Sequence, residues 1–237
     1  MFRALIASFL GLVPVCCSGK KSTEIYQDSL KSVFTIYFTD LETNQLRGSC
    51  SGFFITNDGL GVTSGPIVRV FRGTNATIKL PNGKILPCKL TYYPSVPGLG
   101  FIQTTDFNSE KLSLSTEYVK EGQDLFILAL KDTQSYFSDL LVTDTDHKWI
   151  EFRDDTLMNT PVIRTTGLVP KESFGAPLID HEGNVVAVVA NIENGLAIGY
   201  SVHYLKELFA DDEKPKIYKV WEGIRNNIVE RLSGFVN

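Results

Sequence analysis

Short β-rich runs separated by turn residues constrain the fold of this chain more than any other feature. Val33–Thr39 consists of β-branched and aromatic residues, and an Asp58-Gly59 step joins two later runs of the same kind. Similar runs recur through residue 199 at intervals of about 8–12 residues, a spacing typical of sandwiches and barrels. The pattern predicts an all-β fold.

Two details of the second half refine this prediction. Residues 140–143 and 149–152 are predicted as separate strands, and the polar residues between them, including His147, as a loop. Helix is predicted only after the last strand, where Ser201 can cap a helix over residues 202–209.

The last segment, residues 211–237, is predicted to form an amphipathic helix beginning near Pro215. Its apolar residues recur every three or four positions and would form one stripe: Ile217, Val220, Trp221, Ile224, Ile228 and Leu232. Such a stripe packs on the body of its own domain or binds a partner or a membrane surface.

Composition excludes some classes of function. The chain has 237 residues, of which 43% are hydrophobic and 21% charged, with a net charge of -4. These values are typical of a globular protein. The acidic balance and the lack of a basic stripe argue against nucleic-acid binding.

Residues 1–19 have the pattern of an export signal, with Arg3 followed by an apolar stretch too short to span a membrane. Cys16 and Cys17 lie near its end, where cleavage or attachment of a lipid anchor are both compatible with the sequence. We therefore expect a periplasmic, cell-envelope or secreted protein whose only membrane contact would be that anchor.

Cys50 and Cys88 are the remaining cysteines. An even pair in an exported protein can form a disulfide, but the sequence alone does not decide whether these two are bridged.

Four sequence blocks carry a family resemblance. They are the stretch from Gly52 to Val68, residues 98–102, the stretch from Glu172 to Leu178 with its following hairpin, and the tail from residue 196 to 208. In order and spacing they resemble the HtrA-like serine proteases of the trypsin fold, over roughly residues 30–210. The resemblance implies two six-stranded antiparallel β-barrels, 30–105 and 106–200, in a domain of residues 20–210 with C-terminal helices and no PDZ domain.

The same resemblance assigns the positions of the reacting groups. Pro66 stands where the family has its histidine, Gly98 where it has its aspartate and Phe174 where it has its nucleophilic serine. Glu172 stands where a glycine helps to form the oxyanion hole. Since none of these side chains can replace the family's group, the sequence predicts a protease homologue that is not an enzyme.

Two alternatives remain open. A divergent, active endopeptidase would need Ser173 as nucleophile and a base such as His147, whereas His181 and His203 are expected at the surface or in packing contacts. A structural surface lipoprotein would have no groove function.

The leading hypothesis is a binding, scaffolding or regulatory role. Alignment with the family assigns Val188, Val189 and Ala190 to the strand that would pair with an extended peptide. A protein or peptide partner is expected, with no cofactor and no metal, and the oligomeric state stays undetermined.

Overall fold

The computed structural model describes residues 20–91, 98–104, 108–151, 157–203 and 205. Two helices precede and interrupt the first group of strands: α1 (Ser22–Leu30) and α2 (Gly65–Val70). The strands of the first half are β1 (Val33–Thr39), β2 (Leu46–Phe54), β3 (Leu60–Ser64), β4 (Asn75–Lys79), β5 (Ile85–Thr91) and β6 (Leu99–Thr104). Those of the second half are β7 (Asp124–Lys131), β8 (Gln134–Glu151), β9 (Leu157–Leu168), β10 (Pro177–Ile179), β11 (Val185–Glu193) and β12 (Leu196–Ser201).

The strands close into two antiparallel barrels. The first has the order β1-β2-β3-β6-β5-β4 and the second the order β10-β11-β12-β9-β8-β7. The prediction of an all-β fold with two six-stranded barrels is confirmed. Closure pairs strand edges that a short, strongly twisted sheet would otherwise expose, except on β11 beyond Val188, where the pairing with β10 ends.

Apolar side chains fill the inside of each barrel and also join the two. One cluster of the first barrel includes Phe34, Phe38 and Ile78, all fully buried. A larger cluster combines Phe53 and Phe101 of the first barrel with residues of the second. The barrels therefore share one apolar core across their interface.

Polar contacts fix the same interface. The Thr35 hydroxyl of β1 donates to the carbonyl oxygen of Leu130 on β7, at 3.0 Å. Asp132, just after β7, forms an ion pair with Lys79 and accepts a hydrogen bond from the Tyr37 hydroxyl. These contacts lower the pKa of Asp132, so its carboxylate stays charged between the barrels.

Three local predictions were wrong. Helix is not confined to the C-terminus, because α1 and α2 occur before and within the first barrel. The predicted strands near residues 140 and 149 belong to one strand, β8. His147 lies in that strand, opposite Pro161 of β9, and not in a loop.

Several sequence predictions lie outside the described residues, namely the export signal with Cys16 and Cys17 and the helix over residues 211–237. The described part of the chain contains no helix with the length and hydrophobicity that crossing a membrane requires.

Candidate functional site

Pro66 is the second residue of α2, which begins at Gly65 directly after the last residue of β3. Its exposed ring occupies the first turn of the helix, where proline is favoured because that position needs no backbone N–H. A pyrrolidine ring at this position has no nitrogen that could accept a proton from a nucleophile.

Gly98 lies directly beside the start of α2. The Gly65 N–H donates to the carbonyl oxygen of Gly98 at 2.9 Å. Gly98 has a φ of 72°, a left-handed conformation that favours glycine. A Cβ atom placed on Gly98 would lie 2.1 Å from the ring of Tyr200, so this tyrosine of the second barrel fills the space that a side chain at position 98 would need.

Phe174 comes from the second half of the chain and contacts the first barrel. Its carbonyl oxygen accepts a hydrogen bond from the Ser51 N–H at 2.8 Å, and its half-buried ring packs against the first-barrel cluster. The next residue, Gly175, approaches Ser64 so closely that an added Cβ would lie 3.0 Å from the Ser64 nitrogen. Since Ser64 immediately precedes Gly65 and Pro66, the backbones at positions 66, 98 and 174 meet at the interface between the barrels.

In the loop before Phe174, the backbone N–H groups of Ser173 and Phe174 donate to carbonyl oxygens of the same turn. Residues Lys171–Ser173 form a single 3-10 turn, in which the Ser173 N–H donates to Pro170 and the Phe174 N–H to Lys171. The Glu172 carboxylate forms an ion pair with Lys131, which is the main cause of its lowered pKa. The acidic side chain at the oxyanion position is thus paired, and the two neighbouring N–H groups have partners within the turn.

Ser51 connects this loop to both barrels. No sequence pattern predicted this role of Ser51. Its hydroxyl donates to the carbonyl oxygen of Glu172 at 2.9 Å and accepts from the Leu130 N–H at 3.0 Å. Ser51 is completely buried. Nothing in the local sequence indicates these contacts, because Ser51 and Glu172 are 121 residues apart.

The three histidines lie elsewhere. His181 is in the turn between β10 and β11, where its ring meets that of Phe126 edge-on. His203 packs against Tyr118, and His147 lies in β8. Ser173, the alternative nucleophile, is completely buried, and its hydroxyl has no hydrogen-bond partner among the described residues.

Ser173→Ala is therefore expected to keep or slightly raise stability, by up to about 1 kcal/mol, since an unpaired buried hydroxyl is a cost to folding. Urea unfolding followed by circular dichroism measures the change. A loss of more than about 1 kcal/mol would mean that the hydroxyl has a partner after all.

Val188, Val189 and Ala190 lie in β11 and are buried. Val188 is paired on both sides, with Pro177 and Tyr200. The Val189 N–H and carbonyl bond to Ala176 and Gly175 respectively. The Ala190 carbonyl accepts from the Ser64 hydroxyl at 3.4 Å.

The open edge of β11 lies just beyond these residues. β10 is only three residues long and its pairing ends at Val188, so Asn191–Glu193 pair with β12 and, among the described ladders, with no strand on the other side. The Ile192 N–H donates to the side-chain oxygen of Asn191 at 2.9 Å. A strand-addition site fits residues 191–193 better than 188–190, because the latter use their main-chain groups internally.

Cys50 and Cys88 are both free thiols. Burial raises the pKa of each to about 12, and the Cys50 sulfur lies 3.4 Å from the Thr63 hydroxyl. The two thiols are unbridged in this structure.

Metal-binding side chains do not cluster in the described part of the chain: no group of three His, Cys, Asp or Glu residues there could hold an ion. The interface between the barrels instead contains backbone amides, small hydroxyls and aromatic rings.

Comparison with known proteins identifies the fold. Residues 50–188 match the family model of the trypsin-like peptidase domain. The structure is similar to that of the active form of the Rv3671c protease from M. tuberculosis, with a TM-score of 0.66 and 18% identity. The similarity covers 90% of this chain and 96% of that protease chain. A comparison with curated proteins found no match.

Two further solved structures show the same similarity. A serine endoprotease from Yersinia pestis has a TM-score of 0.63 and 12% identity, with 81% of this chain and 66% of that chain covered. An inactive Rv3671c variant with one serine changed to alanine has a TM-score of 0.62 and 19% identity, with 81% and 93% covered. The fold is that of the trypsin-like serine proteases.

The prediction that this protein is not an enzyme was wrong. It relied on the side chains at positions 66, 98, 172 and 174. The matching family is one of peptidase domains, and the similar structures are those of serine proteases, one of them an active form. The comparisons thus give no support to a loss of activity.

Proposed function

The chain belongs to the trypsin-like peptidase domain family, since the family model matches more than half of it, and we propose that it binds an extended polypeptide along β11 at the interface between the barrels. The N-terminal sequence pattern supports an exported location for this binding. The partner is a protein segment or peptide in an open, strand-like conformation.

The open edge of Asn191–Glu193 is the observation that carries this proposal. Unpaired main-chain groups on a strand are a template for a further strand, and their hydrogen bonds bind a peptide largely independently of its sequence. The Asn191 side-chain oxygen accepts a hydrogen bond from the Ile192 N–H, with 2.9 Å between oxygen and nitrogen. An incoming strand could displace this amide, because the Asn191 side chain is exposed.

The neighbouring loop supports the same location. Gly175 bonds to Val189 at 2.7 Å, so the loop carrying Phe174 lies immediately before the open edge. A segment paired with residues 191–193 and continuing in the same direction would reach Phe174, whose half-buried ring offers an apolar contact.

Ile192→Pro tests this proposal. The change removes one backbone N–H, and proline is tolerated where a strand edge faces solvent. We expect binding of fluorescein-labelled casein and of 12-residue peptides on an array to weaken at least about tenfold, the equivalent of about 1.4 kcal/mol. Fluorescence anisotropy and array intensity measure the change.

Ile192→Ala is the matched control, because it removes the same side chain but keeps the N–H. It should bind within about threefold of wild type if main-chain pairing dominates. Equal losses in both variants, or no array signal with the wild type, would contradict the proposal. Gel analysis of the same casein samples shows separately whether the bound polypeptide is cleaved.

A further inference from the structure

The open edge of β11 ends in a tight two-residue turn. Glu193 is the last residue of β11 and Leu196 the first of β12, and the two are paired across the turn. Asn194 and Gly195 between them have φ values of 52° and 84°, as in the type I′ turns that close hairpins. In such a hairpin the closing pair exchanges its main-chain hydrogen bonds, so the main-chain groups of Glu193 point to β12 and those of Ile192 to the open side.

The Glu193 side chain lies on the outer face of the second barrel. Directly paired residues of a sheet project their side chains to the same face, and Leu196 pairs on its other side with Leu168 of β9. All three side chains are exposed, Leu168 at 73% and Leu196 at 40%. Glu193, Leu196 and Leu168 therefore form a row across three strands, in which Glu193 is the member next to an incoming strand.

The Glu193 carboxylate keeps its negative charge at this edge. It accepts a hydrogen bond from the Asn191 side-chain N–H at 3.1 Å, but this amide is neutral. Glu193 forms no ion pair in the described part of the chain, and Arg164, the basic residue of β9, is paired with Asp144. Since the same Asn191 amide also accepts from the Ile192 N–H, a strand that takes this N–H displaces the amide and leaves the carboxylate open to a new donor.

We propose that Glu193 makes the edge of β11 selective for an extended segment with a Lys or Arg side chain directly opposite it. The inference rests on the strand addition proposed above. On a strand paired with β11, the residue opposite Glu193 has its Cβ about 4.5–5.5 Å from that of Glu193, a separation that a long basic side chain spans. Lys and Arg are donors only. An opposite-charge pair across a sheet stabilises the pairing, whereas a second carboxylate weakens it.

A peptide scan with the full-length protein tests this selectivity. Lys, Gln or Glu is placed in turn at each position of an uncharged 12-residue peptide that binds the protein. Fluorescence anisotropy at low ionic strength should show one position at which Lys binds about two- to fivefold more tightly than Gln, and Glu more weakly than Gln. The two adjacent positions should show little preference, because their side chains point to the opposite face. Salt at about 1 M should largely remove the difference.

Charge reversal identifies the residue responsible. Glu193→Lys should invert the order at that position, so that Glu binds best, and Glu193→Gln should abolish the preference. Glu182→Lys is the matched control, because Glu182 is an exposed acid in the turn before β11. This variant changes the net charge by the same amount but leaves the edge unaltered, so the preference for Lys should persist.

The outcomes separate this inference from the strand addition on which it rests. Peptide binding by the wild type with no preference for Lys, or with a preference that Glu193→Lys does not invert, would overturn the selectivity and leave the strand addition standing. Tighter binding of every peptide by Glu193→Gln would also overturn it, because Glu193 would then protect the edge against pairing. Absence of binding by any peptide would overturn both.

Discussion

Gly98→Ala is expected to lower the free energy of unfolding by about 2–5 kcal/mol, because two penalties combine. The backbone at φ 72° disfavours any side chain, and the new methyl group would lie 2.1 Å from the Tyr200 ring. The ring itself is partly buried and packs against the shared core. Chemical denaturation of the purified protein measures the difference.

Gly83→Ala separates these two penalties. Gly83 has a similar φ of 85°, but an added Cβ would meet no atom within 4 Å, so it should cost only about 1–2 kcal/mol. The double variant Gly98→Ala/Tyr200→Ala should recover the steric part, which a double-mutant cycle reveals as a coupling energy. Equal costs at positions 83 and 98 would disprove the contact with Tyr200.

The second large effect is expected for Ser51→Ala, at about 2–4 kcal/mol of lost stability. The change leaves the buried Leu130 N–H and the partly buried Glu172 carbonyl oxygen without their hydroxyl partner at the barrel interface. Differential scanning calorimetry at neutral pH would measure it as a lowered melting temperature.

Ser173→Ala is the matched control for Ser51→Ala, since both serines are fully buried and, among the described residues, only the Ser51 hydroxyl has a hydrogen-bond partner. We expect a difference of at least about 2 kcal/mol between the two variants. Similar stabilities would mean that the Ser51 bonds contribute little to holding the loop.

The barrels could be predicted because their signals are local. Turn residues and β-branched runs each act within a few positions, and together they predict closed antiparallel strands. Helix α1 was missed because its signals are weak: Lys21 provides no side-chain cap, and only Ile25 and Ser29 are buried. Its stability comes from contacts with the second barrel that the local sequence does not encode.

Strand β8 shows how tertiary pairing overrides composition. Residues 144–148 are polar and were predicted as a loop. Their ladder with β9 runs through Asp144, Asp146 and His147 without a break. A two-stranded extension does not need an apolar face when its partner satisfies the backbone.

The candidate site was predictable in part. The order of the sequence blocks gave positions 66, 98 and 174, but the partners that shape them come from distant parts of the chain. Tyr200 fills the space at Gly98, and Ser51 holds Glu172. Neither contact corresponds to a periodic pattern or a motif in the sequence, so only the folded structure reveals them.

The attachment of residues 171–175 has a consequence for the order of folding. This loop is fixed by Ser51 of the first barrel and by Lys131 and Val189 of the second. Neither half alone contains all of its partners. The full set of contacts that hold this loop can therefore form only once the two halves have associated.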